Sequence, residues 1–188
     1  MDDDDGPIAL GVVVEADRGS WPFTLVHGEP LVGCAAWAMD EAGIQILDLT
    51  TSWEAVREAG LPLVWHDSLC PMTPPDFLAS CVRRAVAADA VVAGVLPVTD
   101  TVKEVDPAPG GPVVGPTHDR DGLRRLVSPL VLPPSVVAVT DDWPDTDLGA
   151  ALARLRSVAV VELVEAPAAA RRVASAADLA RLEAITRG

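Results

Sequence analysis

Residues 61–96 read LPLVWHDSLCPMTPPDFLASCVRRAVAADAVVAGVL. Two apolar runs, Leu61 to Trp65 and Ala90 to Leu96, bracket a segment with helical spacing. Each run is short and continuous, as expected for a strand covered on both faces. Thr73 stands where a helix cap is wanted, and the spacing predicts a helix over 74–88. Strand, helix and strand in this order point to a mostly parallel sheet. The second run is the more apolar and is expected near the middle of the sheet.

Working outward, the same alternation continues. Ile8 to Val14 (IALGVVV) is a further buried strand, followed by a polar turn from Glu15 to Pro22. From Pro30 to Ala42, residues Leu31, Cys34, Ala35, Ala38 and Met39 fall on one helical face. Ile44 to Leu49 is a strand candidate, and Ser52 caps a short helix that Gly60 ends. Beyond the opening unit, Asp106 to Pro116 is rich in Pro and Gly and reads as an extended arm or loop. Ser135 to Thr140 is helical or irregular, Leu148 to Leu155 is a helix, and Ser157 to Val164 is a strand. Ser175 or Asp178 opens a last helix to Ile185. The pattern predicts an α/β fold, a three-layer, mostly parallel open sheet. In such sheets ligands bind beyond the carboxyl ends of strands. That selects the turn after Val14, the segment after Trp65 and the segment after Leu96.

Composition narrows the function classes. The chain has 188 residues, enough for one domain with a sizeable core. Aromatic residues make up 4% with no Tyr, so the core is built from Val, Leu, Ala and Ile. A formal net charge of -14 disfavours nucleic acid and anionic membranes as partners. It also disfavours a nucleoside triphosphate unless cations gather locally. Three cysteines at wide spacing, Cys34, Cys70 and Cys81, fit neither a disulfide framework nor a zinc site. Without a signal peptide or a long apolar stretch, a cytoplasmic location is expected.

The segment after Leu96 reads Pro97-Val98-Thr99-Asp100-Thr101-Val102-Lys103. This heptapeptide resembles the PVTDT(I/V)K motif of the 2-C-methyl-D-erythritol 4-phosphate cytidylyltransferases, the IspD family, at all seven positions. Other blocks follow in the family's order. Residues 66–71 (HDSLCP) resemble its HDAARP, with Cys70 in place of Arg; residues 119–123 (DRDGL) resemble its DRxGLW. Ser128-Pro129-Leu130 stands where the family has TPQ, and Thr140-Asp141-Asp142 resembles its TDD. Residues 170–179 (ARRVASAADL) are similar to its NIKITTPEDL, and 28–31 (GEPL) to its GKPLL.

The resemblance implies a nucleotidyltransferase, Rossmann-like fold over 7–188, after a disordered acidic terminus at 1–6. It implies transfer of CMP from CTP to a phosphorylated polyol in isoprenoid biosynthesis, with Mg2+ if the transfer proceeds and no cofactor otherwise. It implies a homodimer through a projecting arm at 104–120. By residue matching, Asp67, Thr101, Arg120 and Arg172 would bind the small phosphorylated ligand, with Arg172 in place of the family Lys. Plainer readings stand beside these. Asp100 and Thr101 suit a turn and helix cap, and Arg120 an ion pair with its acidic neighbours. His66 suits a hydrogen-bonded strand-end residue, and Cys70 a structural thiol.

The departures from the family lie at the nucleotide end. The family's glycine-rich loop, LAAGxGxRMG followed by Lys, reads VEADRGSWPF here at 14–23, leaving Arg18, Gly19 and Ser20 as its remnant. Glu15 and Asp17 put carboxylates where phosphates should lie, and Pro22 lacks an amide donor. The cytosine-reading GGxxRxxSV segment is absent between Ile44 and Leu63. The expectation is a degenerate homologue with little or no CTP turnover. The alternatives are an active cytidylyltransferase or related nucleotidyltransferase with a remodelled loop, or a non-catalytic interaction module.

Overall fold

A computed structural model describes residues 6–48, 50–98, 102–106, 113–118 and 122–187, the stretches 102–106 and 113–118 by backbone alone. The chain order begins with β1 (Ala9–Val14), β2 (Leu25–Val26), β3 (Glu29–Pro30), α1 (Leu31–Glu41), β4 (Ile44–Ile46), α2 (Trp53–Ala59), β5 (Leu63–Asp67), α3 (Pro75–Ala88) and β6 (Val91–Pro97). It continues with β7 (Val102–Asp106), β8 (Val113–His118), β9 (Arg124–Leu132), α4 (Pro134–Val139), α5 (Leu148–Leu155), β10 (Val161–Glu165) and α6 (Ala176–Thr186).

Local chemistry explains the helix ends. The Ser52 hydroxyl accepts from the Ala55 amide at 3.2 Å and opens α2, and Gly60, at φ 64°, closes it in the left-handed region. Asp147 caps α5 through the Ala150 amide, and Ser175 caps α6 through the Asp178 amide. Thr73 is not the cap expected of it: its hydroxyl donates to the Cys70 carbonyl, and the N-cap of α3 is Pro74. On α3 the buried residues Phe77, Leu78, Cys81, Val82 and Ala85 form one stripe, which packs against the sheet.

Six strands form the sheet in the order β10-β6-β9-β5-β1-β4. All neighbours are parallel except β9, which runs antiparallel to both β5 and β6. The sheet is therefore mostly parallel, as the alternation predicts. Strand β6 lies second from one edge rather than at the middle. The last strand begins at Val161, not Ser157, because 157–160 close the end of α5. The nine-residue β9 is the strand of this sheet that the sequence reading omits. Its Ser128-Pro129 bond is cis, and its register against β6 shifts beside Gly94. A side chain at Gly94 would meet the Ser128 carbonyl oxygen at 2.8 Å, so only glycine lets the two backbones come this close.

Side chains of β5 alternate between two cores. Val64 joins the layer covered by α1 and α3, while Leu63 and Trp65 join the layer covered by α2, α4 and α5. Burying each such Leu or Val contributes about 2 kcal/mol. A smaller cluster of Val26, Leu31, Leu69, Val173 and Leu182 lies beneath the β2–β3 hairpin and α6. From β1 the chain passes to β4 on one side and to β5 on the other. Strand order thus reverses between β1 and β5, and their carboxyl ends frame a crevice. Within the expected arm, β7 and β8 pair antiparallel as a separate two-stranded ladder. No helix among the described residues is long and apolar enough to cross a membrane.

Candidate functional site

The crevice is built around Asp67. Its position follows from register: Val14 of β1 pairs with Asp67 at the end of β5, so the loop after β1 and the turn after β5 leave the sheet side by side. The Asp67 side chain is 1% exposed. Its Oδ1 accepts from Arg18 Nε at 3.1 Å and from the Leu69 amide at 3.0 Å. Its Oδ2 accepts from Arg172 Nε at 2.9 Å. Its own amide donates to Ser128 Oγ at 2.6 Å, which ties β5 to β9. Burial pushes the Asp67 carboxyl up. The hydrogen bonds from Arg172, the Leu69 amide and Arg18, with the charge of Arg172, outweigh that and hold it below its usual range.

Arg18 is held from a second side. Its Nη2 donates to the Thr146 carbonyl at 2.6 Å, and the Thr146 hydroxyl donates back to Asp17 Oδ2 at 2.9 Å. Asp17 sits at φ 61°, in the left-handed region, and this turns the loop toward Thr146. The Thr146 segment is itself fixed by tryptophans. Trp53 Nε1 donates to the Thr140 carbonyl at 2.8 Å, and Trp65 Nε1 to the Asp145 carbonyl at 3.0 Å. Trp143 packs edge-on against Trp53, with ring centroids 5.2 Å apart. The chain between α4 and α5 is thereby strapped over the end of the sheet, with Thr146 facing the loop after β1.

A cleft of about 260 Å3 remains, lined by Arg18, Asp67, Leu126, Asp147, Leu148, Gly149 and Arg172. Among the described residues its formal charges are two arginines and two aspartates, a sum of zero. Gly19, at φ 58°, and Ser20 are exposed and lie outside this lining. In the loop, the Arg18 amide donates to the Glu15 carbonyl and the Trp21 amide to the Arg18 carbonyl, so both serve the loop's own turns.

The structure thus brings Arg18, Asp67 and Arg172 together. Thr101 and Arg120 lie outside the described residues. Thr146, Asp147 and Leu126 carried no sequence signal as site residues. Arg171 was also missed as one. Its Nε is buried and meets no hydrogen-bond acceptor among the described residues. It lines a second cavity of about 240 Å3 with Arg125 and Glu165, beyond the ends of β6 and β10. The neighbouring side chains of Arg171 and Arg172 line different cavities.

His66 departs from its expected role. It is fully buried, neither ring nitrogen has a hydrogen-bond partner among the described residues, and burial pushes its pKa down to about 4 despite the nearby Asp67. Cys70 is fully buried, and burial with the charge of Asp67 pushes its thiol up to about 12.

The cytidylyltransfer chemistry implied for the family calls for a divalent cation, and the described residues of this cleft do not fit one. Mg2+ is held through free carboxylate oxygens, phosphates and waters. Both Asp67 oxygens already accept from guanidinium groups, whose charge repels a dication. No group of three or more acidic, His or Cys side chains among the described residues is placed to hold a metal.

Comparison with known proteins places this geometry in context. Residues 49–188 match the family model described as IspD, 2-C-methyl-D-erythritol 4-phosphate cytidylyltransferase. A Corynebacterium glutamicum protein of that name is 37% identical over 105 residues, covering 56% of this chain and 37% of the relative. A Frankia casuarinae protein of the same name is 34% identical over 131 residues, covering 64% of this chain and 48% of the relative. The chain spans less than half the length of both relatives. The crystal structure of 2-C-methyl-D-erythritol 4-phosphate cytidylyltransferase from Thermus thermophilus superposes with a TM-score of 0.66 at 19% identity. That match covers 97% of this chain and 100% of the other, and it shows a shared fold.

Proposed function

Because the chain belongs to the IspD family, we propose that it is an IspD-like nucleotidyltransferase-fold protein that seats a small phosphorylated ligand and turns over CTP little or not at all. The observation that carries this reading is the double clamp on Asp67. Arg18 and Arg172 are the cations of the cleft among the described residues, and both are spent on one internal carboxylate. A triphosphate entering the cleft meets a lining of zero net charge, with Asp17 and Glu15 in the adjoining loop.

Nucleotidyl transfer depends on positioning and charge stabilisation, because little covalent chemistry is left to side chains. Loss of one preorganised donor at a developing oxyanion costs about 3–4 kcal/mol. Here the loop amides of Arg18 and Trp21 and both cleft arginines are committed elsewhere together. For the phosphorylated ligand, Arg171 presents the buried Nε that lacks an acceptor among the described residues, and Arg125 adds positive charge in the same cavity.

One observation favours a second reading, an active cytidylyltransferase with a remodelled loop. Arg18 does reach the end of β5 from the altered loop, and a phosphate chain that displaced Asp67 would inherit two guanidinium groups.

Thermal unfolding with each ligand, together with pyrophosphate release, tests the proposal. With 2-C-methyl-D-erythritol 4-phosphate the Tm should rise; with CTP and Mg2+ it should stay unchanged, and pyrophosphate should not exceed the protein-free rate. A Tm rise with sub-millimolar CTP, accompanied by pyrophosphate, would establish the second reading instead.

A further inference from the structure

A cavity of about 580 Å3 shares no residue with the Asp67 cleft. Its walls are α1, the turn at 71–75 and the β2–β3 hairpin. The volume lies within the range of small-molecule sites, which combine apolar walls with a few placed polar groups.

The polar groups here can be assigned one by one. Thr73 donates to the Cys70 carbonyl and is occupied. The Thr186 hydroxyl donates to the Leu182 carbonyl and also lies 2.7 Å from His27 Nε2. Burial and the charge of Glu29 push the Cys34 thiol up, so it lines the cavity in its neutral form. Among the described residues, Glu29 is the one formally charged group of the lining, and neither Lys nor Arg lines the cavity.

Two backbone features point the same way. His27 and Gly28, at φ 50° and 91°, form the two-residue turn between β2 and β3. Asn is the usual residue at the first of these positions, and His is among the other side chains that adopt it. The turn places His27 at the cavity wall. Gly33 lies inside α1, where glycine is disfavoured, yet a Cβ there would meet nothing nearer than 3.9 Å. Close packing does not require that glycine, and its effect is to widen the cavity. Trp37, 60% exposed, contributes an aromatic surface that suits a cation.

We propose that this cavity binds a small amphipathic amine, with its apolar body against α1 and its ammonium group facing Glu29. An anionic ligand would meet the Glu29 carboxylate with no described Lys or Arg in the lining to offset it. The site is independent of CTP turnover in the Asp67 cleft.

Titration of the full chain with phenethylamine and with its anionic counterpart phenylacetate, read by Trp fluorescence and by amide shifts in α1 and the hairpin, tests this. The amine should bind about tenfold or more tightly than the acid. Glu29→Gln should bring that ratio close to one. Gly33→Leu should fill the cavity and abolish binding with Tm at or above the parent value. If Gly33→Leu does not fold, Trp37→Ala, at an exposed position, should weaken amine binding with Tm near the parent's. Equal binding of amine and acid, no binding at millimolar amine, or a response indifferent to both Gly33→Leu and Trp37→Ala overturns the proposal. So does self-association through this face that Trp37→Ala removes while the amine shows no binding.

Discussion

Arg172 Nε meets Asp67 Oδ2 at 2.9 Å across 105 residues of chain, and the pair is lopsided: the Asp67 side chain is 1% exposed and the Arg172 side chain 33%. The buried partner is the one that cannot be left alone. Arg18, with 9% exposure, supports the same carboxylate from the other side.

Asp67→Asn removes the charge both arginines answer. It should lower stability by about 1–3 kcal/mol, the cost of weakening hydrogen bonds that are charge-assisted. It should also raise affinity for inorganic pyrophosphate, because Arg18 and Arg172 then face the cleft unneutralised. Calorimetric titration with pyrophosphate checks this. Unchanged affinity would show that the arginines are not held in reserve by Asp67.

Arg18→Met leaves Asp67 with Arg172 alone. Breaking a buried pair by removing one partner costs about 3–5 kcal/mol, and the surviving arginine places this variant at the lower end. Denaturant midpoints at neutral pH measure it. Arg172→Met, on the more exposed partner, should cost less.

Acid should weaken the fold in two separate steps. His66 has a folded pKa of about 4 against 6.5 unfolded, so below pH 6.5 the unfolded chain takes up a proton that the folded chain refuses. Its stabilising contribution is complete above pH 6.5 and is lost as pH falls toward 4, a change of about 3 kcal/mol. Asp67, also lowered, contributes above its unfolded value of 3.8 and loses that contribution only at still lower pH. His66→Gln should flatten the slope of Tm between pH 6.5 and 4 and leave the more acidic limb in place.

Thiol reactivity should be confined to one cysteine. Cys70 and Cys81, pushed up to about 12 and about 11 by burial, stay protonated and shielded. Cys34 is half-buried, with its thiol also raised. An aromatic disulfide reagent under mildly alkaline conditions should label Cys34 slowly and the other two only in denaturant, and Cys34→Ser should abolish the native reaction.

The arm carries a further expectation. If the β7–β8 ladder embraces a second copy, light scattering should give twice the 19.6 kDa chain mass, and deletion of 107–112 should yield a monomer. A monomer at all concentrations for the parent chain would discard the homodimer.

Periodicity in the chain was enough to identify the α/β layering. The runs at 8–14, 61–65 and 90–96 and the stripe on α3 each record how their own residues are buried, and burial is a local property of a pattern. The heptapeptide at 97–103 marked the family. Strand β9 escaped because it carries Pro129, which central strands rarely take, and its register against β6 shifts beside Gly94. The site escaped for a related reason. Arg18 read as a phosphate-loop remnant and Arg172 as a phosphate grip, each by its own motif. That both point at Asp67 depends on β1 pairing with β5 and on tryptophans strapping Thr146 over the sheet end. Hydrophobic patterning specifies which face a residue turns inward. Which charges meet is decided only when register and packing bring together segments 49 and 105 residues apart.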